Sequence, residues 1–442
     1  MNSHPEIDYA LDASWILPVV PHKRLFNDCS LHIVKDRIHG IVPTSESRRE
    51  YTAKQRIDLT GQLLMPGLIN CHGHAAMTLL RGYADDMPLE QWLGEHIWPA
   101  EAKWVGEEFV RDGGRLAMAE MLLSGTTLFT DMYFYPESLA SAVHEVGMRA
   151  QLFFPIVDFP TSWAQDADEY IHKGLKLRDT YRSHPLIDVN FGPHAPYTVS
   201  DAPLQRIAVY AEELQAHVQV HLHETAFEVT TSQKEFGKRP IERLHDLGLI
   251  TPLTQCVHMT QVSDADIALL TSSGASIIHC PRSNMKLASG ACPVAKLLDA
   301  DINVALGTDG AASNNSLDMF AEIQAAALLG KHVSGKADAI DSHTAIEMAT
   351  INGAKAMGLE DQLGSLEAGK QADIIAIDLS GSNVQPLHHP VSQLVYTQVG
   401  HLVSNVWVAG QQLVKNRQFT NLQLQDCLKN AAEWRVKLDN KP

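Results

Sequence analysis

Four short segments of this chain hold side chains able to bind a metal ion and to move protons. The first is Cys71-His72-Gly73-His74, which closes the apolar run Leu64–Asn70. Side chains alternate along an extended chain, so His72 and His74 project to one side. Two neutral imidazoles supply half of a zinc-type donor set. The second segment, Val220-His221-Leu222-His223-Glu224, offers a further imidazole and a carboxyl group. Alternation puts His221 and His223 on the same face, so strand register leaves either open as the ligand. The third ends in Val257-His258, and the fourth is Gly307-Thr308-Asp309-Gly310. Each segment alone reads equally well as loop histidines, a core histidine or a polar turn. Together, three imidazoles and one carboxylate suit zinc, with iron or manganese compatible, and leave room for water. Such an ion lowers the pKa of water to about 7, and Glu224 and His258 supply the proton handling. Two-metal sites of this kind need a bridging group, and the region Asp188–His194 contains no lysine to provide one. A single divalent ion is expected.

These segments work only if the fold gathers them. Each closes one of eight strand-like runs: Leu64–Asn70, Thr126–Asp131, Arg149–Val157, Ile187–Pro193, Val218–His223, Gln255–His258, Ser276–Cys280 and Asn303–Gly307. Helix-period stretches such as Glu107–Ser124, Ala202–Ala216 and Asp264–Ser272 lie between them. Eight alternations predict a parallel (β/α)8 barrel of the TIM type, whose C-terminal strand ends share one mouth. The chain ends read differently. Short runs with turns occur at Trp15–Val20, Cys29–Val34, Arg37–Val42 and Arg56–Leu59, and again at Ala372–Ile377, Leu402–Val408 and Gln411–Val414. The expected organisation is residues 1–63 and 369–442 joined in one small β-sandwich domain, with the barrel over 64–368. A final helix, Asn421–Leu438, reads as structural.

Composition sets outer limits. The 442 residues carry 35 basic and 52 acidic side chains, a formal charge of −17, which disfavours non-specific nucleic-acid binding. Six scattered cysteines form no CxxC pair, arguing against a disulfide framework or a cysteine zinc site. Met1–Glu6 lacks the features of a signal peptide, and no apolar stretch reaches the length of a membrane span. A cytoplasmic location and no membrane partner are expected.

The ordered series PGLINCHGH, FGPHAPY, HLHE, CVHM, HCPRSNMKLASG, LGTDGAASNN and LEAGKQADI runs through nearly the whole chain. It resembles the amidohydrolase superfamily, and within it the 5′-methylthioadenosine/S-adenosylhomocysteine deaminases. The resemblance implies His72, His74, His221 and Asp309 as ligands of one ion, His221 being chosen by its spacing from Glu224. It implies Glu224 as the acid that protonates the purine ring, His258 as the group orienting the attacking hydroxide, and Asp309 as the carrier of its proton to the leaving amine. Trp92, Glu101, His194 and Glu224 are implied as contacts of a small nucleoside, Glu101 gripping the ribose hydroxyls. A homo-oligomer is implied as well.

One stretch departs from that pattern. Relatives that accept S-adenosylhomocysteine use arginines after the third strand, whereas Gln151–Pro160 is aromatic and has none. An unpaired carboxylate is costly to desolvate, so 5′-methylthioadenosine is the expected preference. Alternative readings are a chlorotriazine hydrolase, a guanine deaminase, or a non-catalytic barrel protein, which would typically have lost ligands that this chain keeps.

Overall fold

A computed structural model describes residues 4–439. Residues 1–3 and 440–442, the outer ends of the two expected terminal units, lie outside the described residues. In chain order the strands are β1 (Glu6–Ile16), β2 (Phe26–Val34), β3 (Arg37–Pro43), β4 (Thr52–Pro66), β5 (Leu68–Asn70), β6 (Thr126–Asp131), β7 (Arg149–Ile156) and β8 (Ile187–Pro193). They continue with β9 (Val218–Leu222), β10 (Thr254–His258), β11 (Ser276–His279), β12 (Val304–Leu306), β13 (Ile374–Asp378), β14 (Val403–Val408), β15 (Gln411–Lys415) and β16 (Gln418–Phe419).

Strands β5 to β12 lie side by side in sequence order, all parallel. Both faces of a parallel sheet are covered, so its strands need apolar or satisfied residues throughout. Accordingly β5, β6, β7, β9, β10, β11 and β12 are buried at every position. The seam between β12 and β5 is closed by the Cys71 N–H donating to the Leu306 carbonyl at 2.9 Å. Asn70 and Thr308 add a reciprocal pair across the same seam at 2.7 and 2.9 Å. This is the expected TIM-type barrel, with its four chemistry-bearing strand ends at one mouth.

The chain ends also pair as expected. β4 lies parallel to β1 and antiparallel to β13, giving one eight-stranded sheet of order β16-β15-β14-β13-β4-β1-β2-β3. Leu31 and Ile33 of β2, Ile374 and Ala376 of β13 and Trp407 of β14 share one apolar core, so distant parts of this sheet fold towards each other. Two strand expectations need correcting. The run Trp15–Val20 is a strand only at Trp15 and Ile16, because β1 ends there and Pro18 follows, with Val19 at a left-handed φ of 70°. The run Leu64–Asn70 is divided at Gly67: Leu64–Pro66 completes β4 in the terminal sheet, and only Leu68–Asn70 belongs to the barrel.

Two contacts brace the site from behind. The helix Glu107–Leu123 sits against the turn Ala75–Leu80 that follows the histidine pair, and Gly113 makes this possible. A Cβ at Gly113 would stand 2.5 Å from the Ala76 carbonyl oxygen. The C-terminal helix Leu424–Asp439 clamps that same helix, with the Trp434 indole N–H donating to Asp112 at 3.0 Å and its ring edge-on to Phe109. At the other end of the barrel, Arg149 of β7 is bidentate to Asp373 at 3.0 Å on both branches, and Asp373 also accepts the Ala409 N–H at 2.7 Å. Removing one partner of such a buried pair costs about 3–5 kcal/mol, so this contact ties barrel and terminal sheet together. Among the described residues no helix is long and apolar enough to cross a membrane.

Candidate active site

Three imidazoles and a carboxylate converge at the mouth. His74 Nε2 lies 3.2 Å and His72 Nε2 3.5 Å from Asp309 Oδ1, and His221 Nε2 is 3.2 Å from His72 Nε2. Each remaining ring nitrogen meets an acceptor. His72 Nδ1–H donates to Gln219 Oε1, His74 Nδ1–H to the Met132 carbonyl and His221 Nδ1–H to the His194 carbonyl, all at 2.7 Å. A neutral imidazole has one proton, so in the neutral rings of His72 and His221, whose basicity is lowered, Nε2 presents a lone pair inward. The 3.2 Å approach of His72 to His221 is therefore two lone pairs facing each other, not a hydrogen bond. Such a nest is self-repelling unless a cation fills it, and its N3O donor set fits a zinc-type ion.

The tautomers are well determined, because Gln219 can be oriented only one way. Its Nε2 donates to the Cys71 carbonyl at 2.9 Å and to Gln255 Oε1 at 2.6 Å, and Gln255 in turn donates to the Ala356 carbonyl at 2.9 Å. Burial lowers the basicity of His72 and lowers that of His221 well below the ordinary histidine range. At His74 burial acts in the same direction, but Asp309 outweighs it and the net shift is upward. For Asp309 burial favours the neutral acid, yet the two imidazoles hold it well below the usual carboxylate range.

Asp309 is fixed on both oxygens. Oδ1 accepts the Gly310 N–H at 2.8 Å, while Oδ2 accepts Ser283 at 2.6 Å and Ser313 at 3.0 Å. In this segment Asp309, not a flanking glycine, takes the left-handed conformation, with φ 62°. Gly307 serves close approach, since a Cβ there would stand 2.8 Å from His72 Cβ.

The ambiguity at residues 221 and 223 disappears. β9 ends at Leu222 and His223 turns away at φ 52°. Its Nδ1–H donates to the Gln261 carbonyl at 3.0 Å and its Nε2 accepts the Ile241 N–H at 3.2 Å. His223 is therefore a satisfied buried residue outside the cluster.

Glu224 and His258 face the cluster from the next two strand ends. Burial, then the negative charge of Asp309, Glu228 and Glu90, raises Glu224 well above the ordinary carboxyl range, which favours its acid form. Its backbone N–H is held by Glu228 Oε2 at 2.8 Å. Burial pushes His258 down to about 3, so this ring is neutral. Asn284 Nδ2 lies 3.1 Å from His258 Nδ1, a contact in which the amide N–H donates to the ring when the ring proton is on Nε2. His258 Nε2 is 3.6 Å from Glu224 Oε2, a gap too wide for a direct hydrogen bond. Distances group His258 with His72 and His221, and separately group Asp309 with His72 and His74.

A cavity of about 430 Å³ opens above these groups and is lined by His74, Glu224, His258 and Asp309, with Trp92, Glu101 and His194 on its walls. Trp92 is buried, its indole N–H given to the Ala84 carbonyl at 3.1 Å, at the start of the wide π-helical turn Trp92–Ile97. Such turns recur at functional sites. Glu101 accepts the Tyr133 hydroxyl at 2.7 Å, and burial raises its carboxyl to about 7. His194, lowered to about 4 by burial and the neighbouring His74 and His72, shares a hydrogen bond with Thr198 at 3.0 Å. All the sequence-predicted site residues except the fully buried His72 therefore border one space. Sequence reasoning missed Gln219, Ser283, Asn284, Ser313, Glu228 and Tyr133. Gln219 was within reach, standing two residues before His221 on the same strand face.

A family model of the amidohydrolase family matches residues 63–413. The chain belongs to the amidohydrolase family. Within it, the chain is 74% identical over 441 residues to a 5-methylthioadenosine/S-adenosylhomocysteine deaminase of Teredinibacter turnerae, covering all of both chains. It is 58% identical to the corresponding deaminase of Saccharophagus degradans, over 99% of this chain and 98% of that one. Among solved structures, an adenosine deaminase from Xanthomonas campestris with bound zinc matches at a TM-score of 0.98 and 43% identity, over 99% of this chain and 100% of that one. As an amidohydrolase this chain is an enzyme, and its His72, His74 and Asp309 cluster is a candidate metal site.

Proposed function

We propose that this enzyme hydrolyses the 6-amino group of 5′-methylthioadenosine and related adenine nucleosides, releasing ammonia and an inosine-type product. The observation that carries the reading is the convergence at one mouth of the Nε2 atoms of His72, His74 and His221 with the Asp309 carboxylate, faced by the buried Glu224 and His258. His72, His74, His221 and Asp309 would hold one divalent ion, zinc by the donor set and by similarity to the zinc-bound deaminase. Such an ion supplies the Lewis acidity that makes water a usable nucleophile at neutral pH.

The protein's own groups do the rest. Glu224 gives its proton to the purine ring nitrogen beside C6, drawing electron density from the carbon under attack. His258 donates Nε2–H to the attacking oxygen and so fixes its approach. Asp309 takes the proton released by that oxygen and returns it to the departing amine. Ser283 and Ser313 keep its carboxylate from turning. Glu101, with one oxygen engaged by Tyr133, has the other free for the ribose hydroxyls. Trp92 and His194 border the nucleoside. No base is drawn from a helix here, unlike polynucleotide deamination.

Among the described residues the cavity wall contains neither lysine nor arginine, and Val157, Phe159 and Pro160 form part of it. A methylthio group is at home there, whereas the carboxylate of S-adenosylhomocysteine would be desolvated without a partner. Steady-state kinetics should give the higher kcat/KM for 5′-methylthioadenosine; the reverse order would defeat this assignment. The Glu101–Tyr133 pair favours a ribose-bearing substrate over a triazine or guanine. The test is the ultraviolet shift from adenine to hypoxanthine, and silence there with turnover of a triazine would favour the rival. The proposal also includes a homo-oligomer in a reducing, cytoplasmic setting, in keeping with six buried free cysteines. Residues 64–368 are taken as the catalytic unit, with 1–63 and 369–442 as one accessory unit, a division that limited proteolysis tests.

A further inference from the structure

Large exposed apolar side chains are informative when they gather. Six aromatic residues among those described are exposed by more than a third, and five of them, Trp98 (41%), Phe159 (42%), Tyr197 (48%), Phe227 (63%) and Phe236 (47%), surround the active-site mouth or a neighbouring hollow. That hollow, of about 230 Å³, shares Leu89, Leu93, Trp98 and Tyr197 with the main cavity as common wall. Its electrostatics are one-sided. Glu90, Glu228 and Glu235 border it, and the one cation among the described residues of its wall, Arg243, is already spent. Arg243 donates to Asp201 at 2.8 Å and to the carbonyls of Pro196 and Val199 at 2.5 and 3.2 Å, and its guanidinium lies over the Phe236 ring at 4.2 Å.

We propose that this annex is a subsite for uncharged, apolar 5′-thio substituents larger than methyl, so that the substrate class extends to 5′-alkylthio- and 5′-arylthioadenosines. The inference rests on the nucleoside reading above. With the base at the buried Asp309–Glu224 end and the ribose hydroxyls at Glu101, the 5′ carbon points to the mouth. Trp98 stands there, one helical turn before Glu101 on the helix Trp98–Trp104. A substituent passing Trp98 enters the annex between Tyr197 and the Phe227 and Phe236 rings. Apolar surface is rewarded by burial, whereas a carboxylate meets the carboxyl groups of Glu90, Glu228 and Glu235 and no free cation among the described residues.

The experiment compares 5′-methylthio-, 5′-n-butylthio- and 5′-benzylthioadenosine and S-adenosylhomocysteine, using wild-type enzyme and a Phe227→Ala/Phe236→Ala double variant. Both positions are exposed and outside the main cavity, so folding is little affected. In the wild type, kcat/KM is expected to rise about ten-fold from methylthio to benzylthio, with S-adenosylhomocysteine below both. In the variant the benzylthio advantage falls to near parity, while methylthio kinetics stay within about two-fold, since that group does not reach the two rings. Wild-type enzyme that treats benzylthio no better than methylthio overturns the proposal, and so does a variant that retains the advantage. A variant that only changes oligomeric state by light scattering, with the substrate series unaltered, assigns the aromatic rim to a subunit contact and also overturns it. Deamination of none of these nucleosides defeats the functional reading itself; loss of the benzylthio advantage with methylthioadenosine still turned over defeats the annex alone.

Discussion

Glu224→Gln isolates the proton from everything else in the site. Glutamine keeps the size of the side chain, and the backbone at this position stays anchored by the Glu228 carboxylate and by the Thr260 hydroxyl, which donates to the Glu224 carbonyl at 2.7 Å. The residue contributes none of the four inward-facing ligand atoms, so metal content should be unchanged. What is lost is a carboxyl group whose acid form is favoured by burial and by Asp309, Glu228 and Glu90. An amide can still hydrogen-bond the purine but cannot transfer a proton to it. General acid catalysis is worth about 10²–10⁴-fold, or about 3–5 kcal/mol of transition-state stabilisation. The variant should therefore lose kcat by that factor, with KM for methylthioadenosine changed by less than about three-fold. Absorbance kinetics and metal analysis on one preparation test both halves. A variant retaining more than a tenth of wild-type kcat would remove Glu224 from its role; a metal-free variant would show that it acts through the ion site instead. The same logic sets the pH dependence: the active form is protonated, so activity should fall as pH rises through the elevated pKa of Glu224, and that limb should vanish in the variant.

Gln219→Leu leaves His72 Nδ1–H buried without an acceptor and its tautomer unfixed. Partners of this kind are worth about 10–100-fold in metal affinity, so chelator competition should reveal weakening of that order; an unchanged affinity would show that the glutamine chain is mere packing. Glu322 is fully buried, accepts Asn314 Nδ2–H at 2.7 Å, and is raised by burial to about 8. Its folded pKa exceeds the unfolded value of about 4.3, so its contribution to stability is whole below that value and is lost as pH climbs towards 8. Glu322→Gln should flatten the decline of Tm across that window, and an identical pH–Tm slope in both proteins would contradict the assignment.

How much of this was legible in the sequence depended on whether the deciding physics was local. The barrel strands were visible because parallel strands covered on both faces must be apolar along their length, as Leu152, Phe153 and Phe154 of β7 are. The ligand segments were visible because each closes such a run. The end of β1 was not, since Trp15–Val20 keeps its apolar character beyond the point where Pro18 and the left-handed Val19 stop the strand. Alternation could not separate His221 from His223, because the strand stops between them and the backbone of His223 turns over. The proton assignments were out of reach for another reason. They depend on partners far away in the chain: Gln219 for His72 across 147 residues, Ser283 for Asp309 across 26, Asn284 for His258 across 26. Type and spacing name a donor set; only packing determines which nitrogen carries the hydrogen.

The central claim is that one cation sits among four particular atoms. The most direct measurement is a crystal structure of the zinc-loaded protein with anomalous data collected on both sides of the zinc edge. A single peak bounded by Nε2 of His72, His74 and His221 and Oδ1 of Asp309, with His258 Nε2 facing a water instead, is the predicted result. A peak that takes His258 in place of His74, or no zinc anywhere near Asp309, would contradict it.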